Sequence, residues 1–342
     1  HQYHSVRRRP VGHYSLLGLH VPQQQERITT NVQIFIDCDP GHDDVLAILL
    51  ALAHPEKLTI QGITTVAGNS TVEHVTDNIL KVLDYIGVSV PVAMGCARPI
   101  RREPEPQPMA HGESGMDGPV LPAAKSKADQ RHAVAFLQEE IMRSHDRVTI
   151  VSLAPMTNLA KLIETYPEVK PRIERICMMG GSLHGGNILP RSEFNIYHDP
   201  EAAKMVFESG IPIVMSGLEV CAEAKTMLRD FEPLQFGGRV SRLAYELMDY
   251  YSGYARARGW DYTNVFDAVP VAQMIQPELF SGSPYRIDIE TEGSLCRGMT
   301  VAQPCDALQP ERCVTVLEHG DGVRFSALML DALNILDRTQ PD

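Results

Sequence analysis

Four carboxylates fall within eight residues of this sequence: Asp37, Asp39, Asp43 and Asp44, in the run Ile34-Phe35-Ile36-Asp37-Cys38-Asp39-Pro40-Gly41-His42-Asp43-Asp44. Carboxylates this crowded raise one another's pKa unless a cation neutralises them. A bound hard metal is the economical reason for such a crowd. Helix capping is the competing reason, since Asp is favoured at helix starts. It accounts readily for one Asp and poorly for four. More acids and amides follow downstream: Asn69, Asn158, Asn187, Glu193 and Asn195. Carboxylates and carboxamides without Lys or Arg suit two kinds of ligand. One is Ca2+, which takes roughly 6–8 oxygens at about 2.3–2.6 Å, backbone carbonyls included. The other is a polyhydroxyl such as ribose, whose hydroxyls need acceptors. A phosphate wants basic residues or a Gly-rich loop at a helix N-terminus. Gly180-Gly181 lacks the lysine of such a loop, and the acidic opening stretch repels phosphate.

These residues need elements to hold them. Residues 32–36 read as a short, β-branched, buried strand, Pro40-Gly41 as a tight turn and 45–52 (VLAILLAL) as a core helix. Asp39, Asp43 and Asp44 then sit at a strand end, a turn and a helix N-terminus. Further strands are expected at 58–66, 91–94, 148–153, 175–179 and 211–216, and short ones near 286–289, 299–302 and 314–317. Helices are expected at 71–86, 127–144, after 154–158, after Asp199-Pro200, at 241–258, 267–275 and 324–336. Residues 98–122 form a long Pro- and Gly-rich loop, a kind that is usually functional or mobile. Strands alternating with helices predict one α/β domain over residues 31–342, Rossmann-like, with a mainly parallel sheet of mixed edge and helices on both faces. Strand ends of one parallel sheet share an edge, so Asp39, Asn69, Asn158, Asn187, Glu193 and Asn195 are candidates to converge. Asn158 is read as a cap of its helix, and His42 as facing the loop or solvent.

The chain has 342 residues and a net charge of −12, which makes nucleic acid a poor partner. Residues 1–30 hold four of the thirteen histidines and no periodic apolar pattern, and read as a disordered or appended extension. No apolar run approaches the roughly eighteen residues of a membrane span. The seven cysteines form no CxxC pair. Zinc is thereby disfavoured, and a reducing, cytoplasmic setting favoured.

The opening stretch resembles the N-terminal signature of the inosine-uridine-preferring nucleoside hydrolases. Agreement extends to Ile63-Thr64-Thr65-Val66-Ala67-Gly68-Asn69, His111-Gly112-Glu113-Ser114-Gly115, Met178-Met179-Gly180-Gly181, Glu193-Phe194-Asn195-Ile196 and Asp199-Pro200-Glu201-Ala202-Ala203. The resemblance implies hydrolysis of the N-glycosidic bond of a ribonucleoside to free base and ribose. It implies a Ca2+ ion held by Asp39, Asp44, the backbone carbonyl of Leu153 and Asp267, with Asp39 as general base on the ion's water. It implies Asp43, Asn69, Asn187, Glu193 and Asn195 as ribose and water contacts, with Met179, Phe194 and His111 beside the substrate and Asp37 bracing the loop. Dimers or tetramers of the chain are also implied. Members of that family carry His directly before the late Asp, whereas this chain has Phe266-Asp267. Phe cannot deliver a proton, so Tyr254, Trp260, Tyr262 and His111 become candidates for the leaving base, with Phe266 a stacking surface. Two other functions fit parts of the pattern. A haloacid-dehalogenase-type phosphohydrolase also opens on Asp-x-Asp after a strand. A non-catalytic nucleoside- or ribose-binding protein would explain the missing His.

Overall fold

The computed structural model describes residues 31–306 and 308–339, so the reading of residues 1–30 lies outside the described residues. The strands, in chain order, are β1 (Val32–Cys38), β2 (Leu58–Thr65), β3 (Val92–Met94), β4 (Val148–Ser152), β5 (Ile173–Met179), β6 (Ile213–Ser216), β7 (Lys225–Met227), β8 (Tyr262–Asn264), β9 (Phe280–Ile289), β10 (Thr300–Pro304) and β11 (Cys313–Gly320). Nine of them form one sheet in the order β10-β9-β11-β6-β5-β4-β1-β2-β3. The run from β11 to β3 is parallel, while β9 and β10 are antiparallel and make the mixed edge. β7 and β8 form a separate antiparallel hairpin.

β1 shows why the sheet is buried on both faces. Its side chains alternate, as a strand's must. Ile34, Ile36 and Cys38 enter one apolar core, with the helices His42–Leu52, Arg239–Tyr251, Ala268–Ile275 and Gly322–Thr339. Phe35 enters the other, with the helices Ala133–Arg143, Thr157–Thr165 and Pro200–Phe207. Asp37 shares the Phe35 side, where a charge has no water. Thr64 Oγ1, on the paired residue of β2, donates to Asp37 Oδ1 at 2.6 Å. Asn158 Nδ2 donates to the same oxygen at 2.8 Å. The Asp37 side chain thereby ties β1 to β2 and to the helix Thr157–Thr165.

Several expectations change. Asn158 is not a helix cap. It is fully buried, its Oδ1 accepts the Cys96 backbone N–H at 2.9 Å, and its Nδ2 also reaches the Thr65 carbonyl at 2.9 Å. The amide thus ties the ends of three adjoining segments together. The helix expected from 127 begins only at Ala133, because the N–H groups of Lys125 and Ser126 bind Asp84 and His132 takes the cap position. The helix expected over 241–258 divides into Arg239–Tyr251 and Gly253–Ala257 at Ser252. The β7–β8 hairpin had no alternating pattern long enough to be read. Finally, Cys305 and Cys313 are joined as a disulfide between the end of β10 and the start of β11, where the spacing of cysteines had pointed to thiols throughout. Among the described residues no helix is long and apolar enough to cross a membrane.

Candidate active site

The site lies at the carboxyl ends of the parallel strands, where open α/β sheets place ligands. β1 ends at Cys38 and delivers Asp39. Gly41 caps the helix His42–Leu52, whose first turn carries Asp43 and Asp44. Asp44 Oδ1 accepts the Asp39 N–H and Oδ2 the Gly41 N–H, both at 3.1 Å. The carboxylate that starts the helix thus also fixes the loop before it. Two glycines permit the crowding. A Cβ on Gly41 would lie 2.6 Å from His111 Nδ1, and one on Gly68 would lie 2.1 Å from Asp39 Oδ2. β2 runs on to Asn69, whose N–H donates to Asp39 Oδ2 at 2.7 Å and whose Nδ2 donates to the Asp39 carbonyl at 3.1 Å. Asp267 opens the helix Ala268–Ile275 and its backbone N–H donates to Asp43.

Asp39, Asp43, Asp44 and Asp267 are each at most 6% exposed. Oxygens of Asp43, Asp44 and Asp267 lie within 4.8 Å of one another, and Asp39 touches Asp44. Burial, then the neighbouring carboxylates, pushes Asp39 and Asp267 well above the usual carboxylate range. The same two causes push Asp43 up to about 7. Asp44 is raised by burial, against the opposing hydrogen bonds it accepts. After burial, the largest influences on Asp267 are the charges of Asp43, Asp44 and Asp39. Facing carboxylates in such a place hold either shared protons or a cation. The donors are all oxygens, which fits a hard divalent ion and excludes a thiolate-type zinc site. One expectation needs adjusting. Successive helix residues point about 100° apart, and the family resemblance gives Asp43 and Asp44 different partners. At this first turn both nonetheless reach Asp267, so the tightest carboxylate triad is 43, 44 and 267 rather than 39, 44 and 267.

The other side of the edge is built from amides and Glu193. Leu153 follows β4; its N–H donates to the Asp37 carbonyl at 2.8 Å and its own carbonyl accepts Asn195 Nδ2 at 3.2 Å. Asn195 Nδ2 also reaches the Met179 carbonyl at 3.2 Å and its Sδ at 3.5 Å. Asn195 thereby connects the ends of β4 and β5. Glu193 caps the helix Phe194–His198, accepting the Asn195 N–H at 2.6 Å. Burial pushes its carboxyl up to about 8, against the N–H groups of Asn195 and Gly181. Asn187 is exposed, and its Oδ1 holds the Phe194 N–H at 2.9 Å. Phe194 meets the ring of His198 edge-on at 5.3 Å.

The leaving-group candidates fare differently. Tyr254, Trp260 and Tyr262 join one another: Trp260 stacks on Tyr262 at 5.7 Å and meets Tyr254 at 6.1 Å. Arg258 covers Tyr254 and Lys225 covers Tyr262. Among the described residues no hydrogen bond links these rings to the carboxylates. Phe266 is half-buried and packs on the core beside its helix.

Three rings that the sequence did not single out stand closer. His42 is buried and not turned to solvent: its Nε2 lies 2.7 Å from the Asp117 carbonyl and its Nδ1 lies 3.1 Å from His111 Nδ1. Tyr250 and Tyr251 stack on His42 at 5.2 and 5.5 Å. A nitrogen facing a carbonyl must carry the proton. Neutral His42 therefore donates from Nε2 and accepts at Nδ1, so His111 donates from Nδ1 and presents a bare Nε2. Burial, then His42, lowers the His111 pKa to about 3. His111 is thus an acceptor near neutral pH and cannot be the proton donor that the sequence allowed. Burial and the carboxylates of Asp43, Asp267 and Asp44 hold the Tyr251 phenol well above its ordinary value, so it keeps its proton. The signal available in the sequence was the position of His42 within the acidic motif, but nothing local showed that residues 111–117 fold back over it.

The family profile described as inosine-uridine preferring nucleoside hydrolase matches residues 34–327. The pyrimidine-specific ribonucleoside hydrolase RihA of Escherichia coli K12 is 40% identical over 304 residues, 88% of this chain and 97% of its own. RihA of a Shewanella species is 40% identical over 310 residues, 90% of this chain and 97% of its own. Among solved structures, a plant nucleoside hydrolase, PpNRh1, superposes with a TM-score of 0.82 at 28% identity, covering 88% of this chain and 98% of that one. A purine-preferring ribonucleoside hydrolase from Gardnerella vaginalis gives 0.83 at 27% identity, covering 90% and 99%.

Proposed function

This chain belongs to the inosine-uridine preferring nucleoside hydrolase family and is a hydrolase of N-glycosyl compounds; from that premise we propose that it splits pyrimidine ribonucleosides into free base and ribose by a cation-assisted attack of water. The observation that carries the reading is the cluster of buried carboxylates Asp39, Asp43, Asp44 and Asp267 at the strand-end edge of the sheet that also carries the buried Glu193–Asn195 pair. Asp39, Asp44, Asp267 and the Leu153 carbonyl would hold the ion, which we take to be Ca2+, and Asp43 stands close enough to the triad to share it. When bound, such an ion makes a neighbouring water more acidic and orients it.

The chain's own groups do the rest. Asp39 receives the proton from the attacking water; Asn69, fixed to its carboxylate and carbonyl, keeps it aimed. Glu193, Asn195 and Asp43 accept or donate to ribose hydroxyls, with Met179 closing that wall. As the N-glycosidic bond opens, the sugar turns oxocarbenium-like, and the surrounding carboxylates favour its positive charge. No His precedes Asp267, and His111 accepts hydrogen bonds. The Tyr251 phenol, which keeps its proton beside Asp43 and Asp267, is the hydrogen-bond donor we assign to the departing base, which leaves as an anion. A uracil-type base also departs with less help from an acid, being the more acidic base. That agrees with relatives named as pyrimidine-specific. We propose that the enzyme works as a homodimer or homotetramer.

The deciding experiment scores ribose release from uridine, cytidine, inosine, adenosine and nicotinamide riboside, with and without a calcium chelator. Release from uridine and cytidine first, abolished by chelation and restored by Ca2+, is the expected outcome. Steady nucleoside binding with no free base at any time would replace catalysis with binding, and release unaffected by chelation would remove the ion.

A further inference from the structure

A cavity of about 510 Å3 opens between the segment after β3, His132 at the start of the helix Ala133–Arg143, and Lys161 on the helix Thr157–Thr165. Arg98, Arg101, Arg102 and Lys161 line it, with Glu103 as its one carboxylate. Four full cations around one cavity contrast with a chain of net charge −12. Two of the four are engaged. Arg102 donates to Glu201 at 2.7 Å and to the Thr291 carbonyl at 2.6 Å. Arg98 pairs with Glu103, and both of those side chains are more than half exposed, so the pair contributes little and exchanges readily. Arg101 and Lys161 are exposed and have no ion-pair or hydrogen-bond partner among the described residues. Two unneutralised cations line this one cavity, Arg101 on the segment after β3 and Lys161 on the helix Thr157–Thr165, with a third held only by an exposed acid, and that charge suits an anion of more than one charge.

We propose that this cavity binds a phosphate dianion, free or carried on a small sugar ester, with the Arg101 guanidinium and the Lys161 ammonium on its oxygens. A guanidinium presents paired donors that match phosphate oxygens, and an ammonium adds a compact charge. A monocarboxylate would leave one cation unmatched. The volume lies within the roughly 300–1,000 Å3 of small-molecule sites, so a polyanion such as a nucleic acid strand does not fit, and the net negative charge of the chain repels one. The wall is well anchored: the Cys96 N–H is held by Asn158 Oδ1 at 2.9 Å and the Ile100 N–H by Asp199 Oδ2 at 3.0 Å. Ligand binding therefore needs only side-chain movement.

The test titrates the full chain by calorimetry with ribose 5-phosphate, inorganic phosphate and ribose, each at low and at 0.5 M salt. Saturable binding of either phosphate, absent for ribose and weakened by salt, is expected. The double variant R101A/K161A should bind at least about tenfold more weakly, with its melting temperature unchanged because both side chains are exposed. Tighter binding of the ester than of the ion would place the sugar in the cavity as well, and equal affinity would place the phosphate there alone. The single charge reversal K161E, which leaves Arg101 in place, should also lose affinity. Binding undiminished in both variants, or no binding of either phosphate to the wild-type chain, overturns the proposal.

Discussion

The two halves of the active site are built differently. The sugar half hangs from the sheet itself: Asp39 and Leu153 follow β1 and β4 directly, Met179 ends β5, and Asn195 hydrogen-bonds to the last two of these segments. Its polar groups are buried, and Asn69, Asp44 and Glu193 each bond to backbone. The base half consists of rings. His42, His111, Tyr250 and Tyr251 stack at one place, and Tyr254, Trp260 and Tyr262 at another, half exposed. The half-exposed rings Tyr254, Trp260 and Tyr262 can shift by an ångström without orphaning a buried polar group, whereas a buried carboxylate cannot. Under the proposed function, the bond-breaking step falls to the rigid edge, and the choice of base to the part that can adjust.

The sharpest way to break this division is Asp39→Ala. It removes the base and one ion-facing oxygen together, so ribose release should fall by on the order of 10^3-fold or more, with circular dichroism unchanged. Near-normal turnover would detach the chemistry from the sheet edge altogether. Next in size is Asn158→Ala. It strips partners from Asp37, the Cys96 N–H and the Thr65 carbonyl, all buried. Unpaired buried polar groups should cost about 1–3 kcal/mol in urea unfolding. A smaller loss would mean that the edge is held by its strands alone.

The same division explains what could be read in advance. The sugar half was legible because a strand end and the helix start after it keep their acids a few residues apart in sequence, and because Glu193-Phe194-Asn195 sit within one cap. The parallel sheet was legible from the alternation of apolar runs with helical patterns. What stayed hidden depends on long-range return of the chain. His42 reads as a surface residue until residues 111–117 close over it, 69 and more positions later. Asn158 reads as a cap until Asp37 comes to it across 121 residues. The Cys305–Cys313 bridge was hidden because the intervening residues had no predicted turn to bring the two sulfurs together.

A third test uses pH. Burial raises Glu193 from its ordinary 4.5 to about 8 in the folded chain. The folded state therefore binds this proton where the unfolded state has released it, and the stability that it contributes is complete below about 4.5 and lost as pH rises through about 8. Glu193→Gln keeps the shape and cannot titrate. Its melting temperature should fall less steeply between those two pH values than that of the wild type. Identical slopes would show that Glu193 has an ionic partner, and the sugar half would then be less apolar than its burial indicates.

The smallest expected effect probes the adjustable half. Trp260 is 43% exposed and stacks on Tyr262, away from every hydrogen bond of the sugar half. If this aromatic wall receives the base, truncating it removes one stacking surface, worth about 1 kcal/mol. Trp260→Ala should then raise KM for uridine about fivefold and leave kcat within a factor of about two, because the bond is broken at the other wall. The same variant should change the ratio of uridine to inosine turnover, since the two bases cover different areas of a ring. A drop in kcat with KM unchanged would put Trp260 in the transition state and erase the boundary between the two halves. An unchanged ratio with unchanged KM would confine base recognition to the His42, His111 and Tyr251 stack.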